Sequence, residues 1–154
     1  MKQFFFCSGL LLFLSIVVFR LDSFASSDKI NWNLYEEGMV IGKKTSQKIL
    51  LYFYANWCGY CNKMKKKTFQ DSLVIDYVNT HFVPIKVNTD KKEQLALKYR
   101  VRGLPSTFIL SEDGDEISNL PGYIKPSKML LILKFINTES YTKMSFEKFV
   151  GGKK

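Results

Sequence analysis

The feature that most constrains this chain is a pair of cysteines placed directly after a continuous apolar run. The run KILLYFYA (48–55) is short and rich in aromatic and branched residues, as expected for a buried central strand. Cys58 and Cys61 follow it, separated by the dipeptide Gly-Tyr. Such a CxxC pair can be half of a zinc site, a structural clip or a redox couple.

The N-terminus has the layout of a secretory signal. Lys2 precedes the apolar run FFFCSGLLLFLSIVVF (4–19), and the small residues Ser23 and Ala25 fit a cleavage site after Ala25. The run is slightly shorter than the ~20 apolar residues of a membrane-spanning helix. We therefore expect residues 1–25 to be a signal peptide and the mature protein to be periplasmic or otherwise exported. If the signal is not cleaved, residues 4–19 would anchor the protein in the membrane.

Export narrows what the cysteine pair can be, because disulfides persist in oxidising compartments. Cys7 would be lost with the signal, which leaves Cys58 and Cys61. A disulfide across so short a loop constrains the unfolded chain little. A closed zinc site needs four ligands, and His81 is the sole further candidate. The pattern therefore favours a redox-active disulfide, with no metal and no other cofactor.

Periodicity predicts one domain of alternating helices and strands. Helical crossovers imply parallel strands and a final hairpin adds antiparallel ones, so we expect an α/β fold with a central mixed β-sheet flanked by helices. Residues 138–154 would extend the last helix or form a loosely held tail. The predicted elements are a helix in 31–45 with an Asn31 cap, strand 48–55, a helix from Gly59, a helix in 71–82 with an Asp or Ser cap, strand 82–90, helix 91–99, strands 104–111 and 116–124 around a turn, and helix 125–137.

The net charge of +9 at pH 7 is carried mainly by lysines, and the densest cluster is KMKKK (63–67). Such a cluster can attract nucleic acid or anionic lipid. No nucleic-acid-binding motif accompanies it. We interpret the cluster as a solvated helix face and expect no nucleic-acid partner.

The predicted strand–helix junction places the two sulfurs for thiol chemistry. Cys58 would lie at a helix N-terminus, where unpaired N–H groups and the macrodipole favour a thiolate. Cysteines at such positions can have pKa values lowered to roughly 3.5–7.5. Cys61 would lie one turn later on the same face. We therefore predict that Cys58 is an exposed nucleophile that attacks a substrate disulfide, and that the shielded Cys61 resolves the mixed disulfide.

Three stretches resemble the thioredoxin superfamily, namely ILLYFYANWCGYC (49–61), IKVNTD (85–90) and KYRVRGLPSTFIL (98–110). The INWNLYEEG segment and the stretch after the cysteines are similar to an exported branch of that superfamily. This branch includes the C-terminal domain of membrane thiol:disulfide interchange reductases and the thioredoxin-like proteins of sulfur-oxidation operons. The resemblance implies a thioredoxin-like fold over residues 26–137, with an extra N-terminal helix.

The resemblance also implies roles for the residues around the cysteines. Cys58 matches the family's nucleophile and Cys61 its resolving cysteine. Pro105 matches the cis-proline whose loop lies beside the disulfide and offers backbone groups to substrate. The expected substrate-binding residues are Trp57, Gly59, Tyr60, Leu104 and Pro105. For Trp57, a buried aromatic at the strand end is the alternative interpretation.

The resemblance also bears on two residues near the cysteines, Lys86 and Tyr52. Lys86 matches a buried lysine of the family. Tyr52 stands where thioredoxins usually carry a buried Asp that assists deprotonation of the second cysteine. A tyrosine with a pKa near 10 is a poor base at neutral pH, so we interpret Tyr52 as core packing. Deprotonation of Cys61 would then depend on water, on substrate or on another group.

The sequence therefore predicts an exported thioredoxin-like thiol:disulfide oxidoreductase that reduces disulfides of periplasmic proteins. The resemblance implies protein dithiol or disulfide substrates, a membrane thiol electron donor and a monomeric state. Two alternatives remain. Gly-Tyr between the cysteines also occurs in bacterial disulfide isomerases, so the protein could act as an isomerase or oxidase. A non-catalytic thioredoxin-fold module could instead bind a partner through the CxxC face.

Overall fold

The computed structural model describes residues 27–152. The predicted signal peptide, the alternative membrane anchor and the last two residues lie outside this range. Within residues 27–152, no helix has the length and apolar character needed to cross a membrane.

A mixed sheet lies at the centre of the fold and confirms the predicted architecture. Among the described residues it contains β1 (Ile49–Tyr54), β2 (Val83–Asn88), β3 (Ser106–Leu110) and β4 (Glu116–Pro121), in the order β2-β1-β3-β4. Strand β1 is parallel to β2 and antiparallel to β3, which pairs antiparallel with β4. Because β1 has a neighbour on each side and core on both faces, its residues form a continuous apolar run.

Helices cover both faces of the sheet. Alternate residues of β1 point to opposite faces. Leu50 belongs to the core cluster that includes residues of α2, α3 and α5, whereas Leu51 belongs to the cluster packed against α1 and α4. The helices are α1 (Tyr35–Thr45), α2 (Gly59–Lys67), α3 (Ser72–His81), α4 (Glu93–Lys98), α5 (Pro126–Asn137) and α6 (Phe146–Gly151), with 3-10 turns at Thr68–Gln70 and Ser140–Thr142.

One of the two predicted side-chain caps is present. Asp71 caps α3, because its Oδ1 accepts hydrogen bonds from the backbone N–H groups of Leu73 and Val74, both at 3.1 Å. The predicted Asn31 cap is wrong, since α1 begins only at Tyr35 and its N-cap residue makes no side-chain cap bond. The residues before α1 instead run beside the sheet. Hydrophobic periodicity in the sequence does not predict this placement.

Helix α1 lies very close to the sheet because glycines face it. A Cβ atom added to Gly38 would collide with the side chain of Ile85, and one added to Gly42 would lie 2.9 Å from Ile49. Since real Cβ contacts are never so short, only glycine permits this approach without a shift of the neighbours.

The C-terminal segment packs on α5 without extending it. Helix α5 ends at Asn137, and a separate helix, α6, follows the second 3-10 turn. The ring of Phe135 lies 6.4 Å from that of Tyr141, 5.4 Å from Phe146 and 5.2 Å from Phe149 between centroids. The tail therefore does not extend α5, as one expectation had it, but packs on it through aromatic contacts as a separate element.

Candidate active site

The two cysteines lie at the junction between β1 and α2. Cys58 is the N-cap residue of α2, with φ −75° and ψ 109°, and its Sγ accepts a hydrogen bond from the backbone N–H of Cys61 at 3.1 Å. Cys58 and Cys61 form a disulfide with a Cα–Cα distance of 5.2 Å. The predicted placement at a helix N-terminus is confirmed, and the chain is in its oxidised form.

Cys58 is much less exposed than predicted. Its exposed fraction is 6%, against 3% for Cys61, so the expectation of a solvent-facing nucleophile is wrong for this oxidised form. Both cysteines pack with Ala55 after β1 and with Leu104 from a distant loop. The contact from Leu104 comes from a loop that the strand–helix junction alone does not predict.

Exposed aromatic residues surround the buried disulfide. Trp57 is 73% exposed and Tyr60 is 64% exposed, so the alternative of a buried aromatic at position 57 is excluded. The Trp57 indole Nε1–H donates to Oδ1 of Asp90 at 3.2 Å. Gly59, the first residue of α2, has open space where a side chain would be. These residues form an accessible rim beside the sulfurs.

Asp90 is a site residue that sequence reasoning missed. It follows β2 by two residues, and its backbone N–H is held by the Asn88 side-chain oxygen at 2.9 Å. The polar stretch NTD at the end of a strand was the available signal, since polar residues at strand ends of an α/β sheet commonly lie near the site. Its bond to Trp57 fixes the indole on one side of the disulfide.

The proline loop lies beside the disulfide, as the resemblance implied. The Leu104–Pro105 peptide bond is cis, and the Leu104 side chain contacts the cysteine cluster. The Pro105 carbonyl accepts a hydrogen bond from the N–H of Gly122 at 2.8 Å. Gly122 has φ +81°, a left-handed conformation that glycine adopts without penalty. This bond ties the loop to the end of β4.

Tyr52 is a packed aromatic residue behind Cys61. Its ring lies 4.9 Å from Phe69, 5.8 Å from Tyr54 and 5.9 Å from Trp32 between centroids. Burial first, and the neighbouring Tyr54 second, raise the pKa of Tyr52 well above its ordinary value of 10. The hydroxyl donates to the Cys61 carbonyl at 3.5 Å, the outer limit for such a bond. Tyr52 is therefore neutral at physiological pH and fits core packing.

The expectation that Lys86 is buried is wrong, because the residue is exposed. In the β1–β2 ladder it pairs with Tyr52, which carries no negative charge. A buried ammonium without a charged partner is strongly unfavourable, and its long stem lets the charged end reach water. Tyr52 thus offers no carboxylate that would compensate a buried ammonium, which agrees with the exposure of Lys86.

The described residues offer no metal centre. Within 27–152, no three side chains of the His, Cys, Asp or Glu types lie together in a way that could hold an ion. His81 ends α3, and its ring lies 4.3 Å from that of Tyr77 between centroids. His81 therefore packs against an aromatic neighbour at the end of α3.

Comparisons with known proteins point to one family. A family model described as a thioredoxin-like domain matches residues 35–137. Thioredoxin-2 of Pyricularia oryzae is 34% identical over 89 residues, which cover 58% of this chain and 49% of that protein. The thiol:disulfide interchange protein DsbD of Photorhabdus laumondii is 30% identical over 103 residues, which cover 64% of this chain but only 18% of that protein.

Solved structures agree with this match. The solution structure of a thioredoxin from Thermus thermophilus superposes with a TM-score of 0.64 and 25% identity. The superposition covers 70% of this chain and 87% of that one. The residues that the family model matches, 35–137, include the strand–CxxC–helix unit and the preceding helix α1.

Proposed function

The chain belongs to the thioredoxin-like family, and from this premise we propose that it is an exported thiol:disulfide oxidoreductase that reduces disulfides of periplasmic proteins. One observation carries the proposal. The Cys58–Cys61 disulfide closes the N-terminus of α2, and the cis Leu104–Pro105 loop lies against it. This arrangement has a nucleophile, a resolving thiol and a backbone edge for substrate within one small region.

The reaction starts from the reduced dithiol. The Cys58 thiolate attacks one sulfur of a substrate disulfide, a Cys58–substrate disulfide forms, and the other substrate sulfur leaves as a thiolate. The Cys61 thiolate then attacks Cys58 Sγ and displaces the second substrate sulfur. Two electrons pass to the substrate, and the product is the Cys58–Cys61 disulfide of the present structure. The displaced substrate thiolates accept the protons that the two cysteines release.

The helix N-terminus supports the first step. The backbone N–H of Cys61 already points at Cys58 Sγ, so a thiolate formed there receives a hydrogen bond that needs no rearrangement. Hydrogen bonds to charged groups contribute about 1.5–3 kcal/mol. The small exposure of Cys58 means that a substrate must reach it through the space bounded by Trp57 and the proline loop.

Two features support the direction of electron flow and the location. The similarity to a protein named as a thiol:disulfide interchange protein supports exchange with a thiol donor that keeps the dithiol reduced, and we propose that this donor is a membrane protein. The apolar run with Ser23 and Ala25 behind it supports export and cleavage after Ala25. N-terminal sequencing of the exported protein should start at Ser26. An intact Met1 would replace export after cleavage with a membrane-anchored protein.

Insulin reduction with dithiothreitol as the electron source tests the activity. The wild-type protein should accelerate precipitation of the insulin chains, and Cys58→Ser should abolish this. Cys61→Ser should still attack but should accumulate mixed disulfides with substrate proteins. Since both changes replace one sulfur with oxygen in the same turn, each serves as the structural control for the other.

Two outcomes would contradict the proposal. If Cys61→Ser keeps full turnover and traps no substrate, the assignment of attack and resolution is wrong. If the wild-type protein binds insulin but does not reduce it while its dithiol stays intact, the protein is a binding module and not an enzyme.

A further inference from the structure

A cleft of about 300 Å³ opens on the Cys61 side of the site. Four aromatic side chains contribute to its walls, and neither Trp57 nor the proline loop does. It is therefore separate from the rim that the proposed function assigns to protein substrates. Trp32, Tyr52, Tyr54 and Phe69 form the apolar walls, and Cys61 is part of the lining.

The aromatic walls are held in place by one another. The Trp32 and Phe69 rings meet edge to face at 5.0 Å between centroids, and the Tyr52 and Tyr54 rings are stacked at 5.8 Å. Such contacts stabilise aromatic pairs beyond simple burial. The cleft is therefore formed before any ligand binds, which lowers the ordering cost of binding.

The charge of the lining has one sign. Lys29, Lys65 and Lys86 line the cleft, and no Asp or Glu does. They come from three different segments, namely the residues before α1, helix α2 and strand β2. Among the described residues, none of the three ammonium groups lies within ion-pair distance of a carboxylate. Three unpaired cations around an apolar space favour an anionic ligand.

The size of the cleft limits what can bind. Ligand pockets span roughly 300–1,000 Å³, so this one lies at the small end and accommodates a single ring system. We propose that the cleft binds a small planar aromatic carboxylate, with its ring between Trp32 and Phe69 on one side and Tyr54 on the other. The carboxylate would lie at the mouth, within reach of the exposed Lys65 and Lys86. Cys61 is part of the lining, but the proposal rests on the aromatic walls and the lysines and not on the thiol chemistry above.

The two tryptophans of the chain allow a direct test. Trp32 lines the cleft and Trp57 does not, so their indole N–H signals in a ¹⁵N-labelled sample report on the two places separately. The oxidised protein is titrated with indole-3-acetate and 4-hydroxyphenylacetate. The Trp32 signal should shift saturably with a Kd of about 1 mM or tighter, while the Trp57 signal stays in place.

A matched neutral ligand and two lysine variants test whether the lysine charges contribute to binding. Indole-3-acetamide, the uncharged analogue of the first acid, should bind at least about threefold more weakly. Lys65→Gln and Lys86→Gln should each weaken indole-3-acetate by about threefold, as exposed ion pairs do. Lys44→Gln is the control, because Lys44 on α1 is also exposed but lies outside the lining.

Several results would contradict the proposed binding site. They are no saturable Trp32 shift for either acid, equal affinity for the acid and its amide, a shift of Trp57 in place of Trp32, or wild-type affinity in both lysine variants. None of these readouts depends on disulfide reduction, so failure here leaves the proposed activity untouched, and loss of activity leaves the binding site untouched.

Discussion

Tyr52 offers a sharp test of how the site is built, because removal of its hydroxyl separates core packing from acid–base chemistry. The hydroxyl makes one hydrogen bond at 3.5 Å, to the Cys61 carbonyl. A bond of this length contributes at most about 0.5 kcal/mol, and Tyr52→Phe keeps the ring contacts. We therefore expect the free energy of unfolding at pH 8 to change by no more than that amount.

The same variant should change the pH dependence of stability above pH 10. Burial raises the pKa of Tyr52 in the folded protein, whereas the unfolded tyrosine ionises near pH 10. The stability from this difference is fully present below pH 10 and is lost as the pH rises from 10 toward the raised folded pKa. At pH 11 the loss from one such tyrosine is about 1.4 kcal/mol.

Urea unfolding of the oxidised protein at pH 8, 9, 10 and 11 measures this difference. The wild type should lose about 1.4 kcal/mol more than Tyr52→Phe between pH 9 and pH 11. Tyr99→Phe is a parallel variant, because burial and the hydrogen bond with Tyr35 raise the pKa of Tyr99 as well. Equal losses in the wild type and Tyr52→Phe would show that the Tyr52 hydroxyl is not in a dry core.

An activity measurement completes the test. If Tyr52 only packs, Tyr52→Phe should resolve the mixed disulfide at the wild-type rate from pH 6 to pH 9. A fall of about 100-fold or more, the range typical for a lost general acid or base, would refute the core-packing interpretation and make the Tyr52 hydroxyl part of the chemistry.

Gly38→Ala should lower the free energy of unfolding by about 1–3 kcal/mol, since the new Cβ collides with Ile85. Gly151→Ala, where the space is open, should change it little in the same urea titration. Phe146→Ala should cost about 2 kcal/mol, because the half-buried ring packs on Phe135, and thermal unfolding would show this as a lower Tm. The redox couple should titrate against glutathione or dithiothreitol to between about −270 and −180 mV. A value near −120 mV would make the protein an oxidant.

Elements with a strong local signal were predicted almost to the residue. The apolar run 48–55 became β1 (Ile49–Tyr54), and α2 begins at Gly59 as expected. The Asp71 cap was also predictable, because a side chain that bonds N–H groups two and three residues away acts within one turn. For such elements the determining interactions lie within a few residues, so the sequence window contains them.

The errors arose where distant residues decide the outcome. The cluster that contains Cys58 packs against Leu104, which follows Cys58 by more than forty positions in the chain. Trp32 was assigned to a helix but packs on Phe69 from outside it. Periodicity carries no information about these long-range contacts.

The segment before α1 also affects how copies of this chain meet at high concentration. The outer edge of β2 would otherwise present unpaired backbone groups to a neighbouring strand, which is how edge-to-edge aggregation starts. The Asn33 N–H bonds the Pro84 carbonyl at 2.9 Å, and the Asn33 carbonyl accepts from the Lys86 N–H at 3.4 Å. Pro84 itself has no N–H to offer. At the opposite edge, β4 ends in Pro121. Pairing with a strand of another copy is therefore disfavoured at both edges of the sheet.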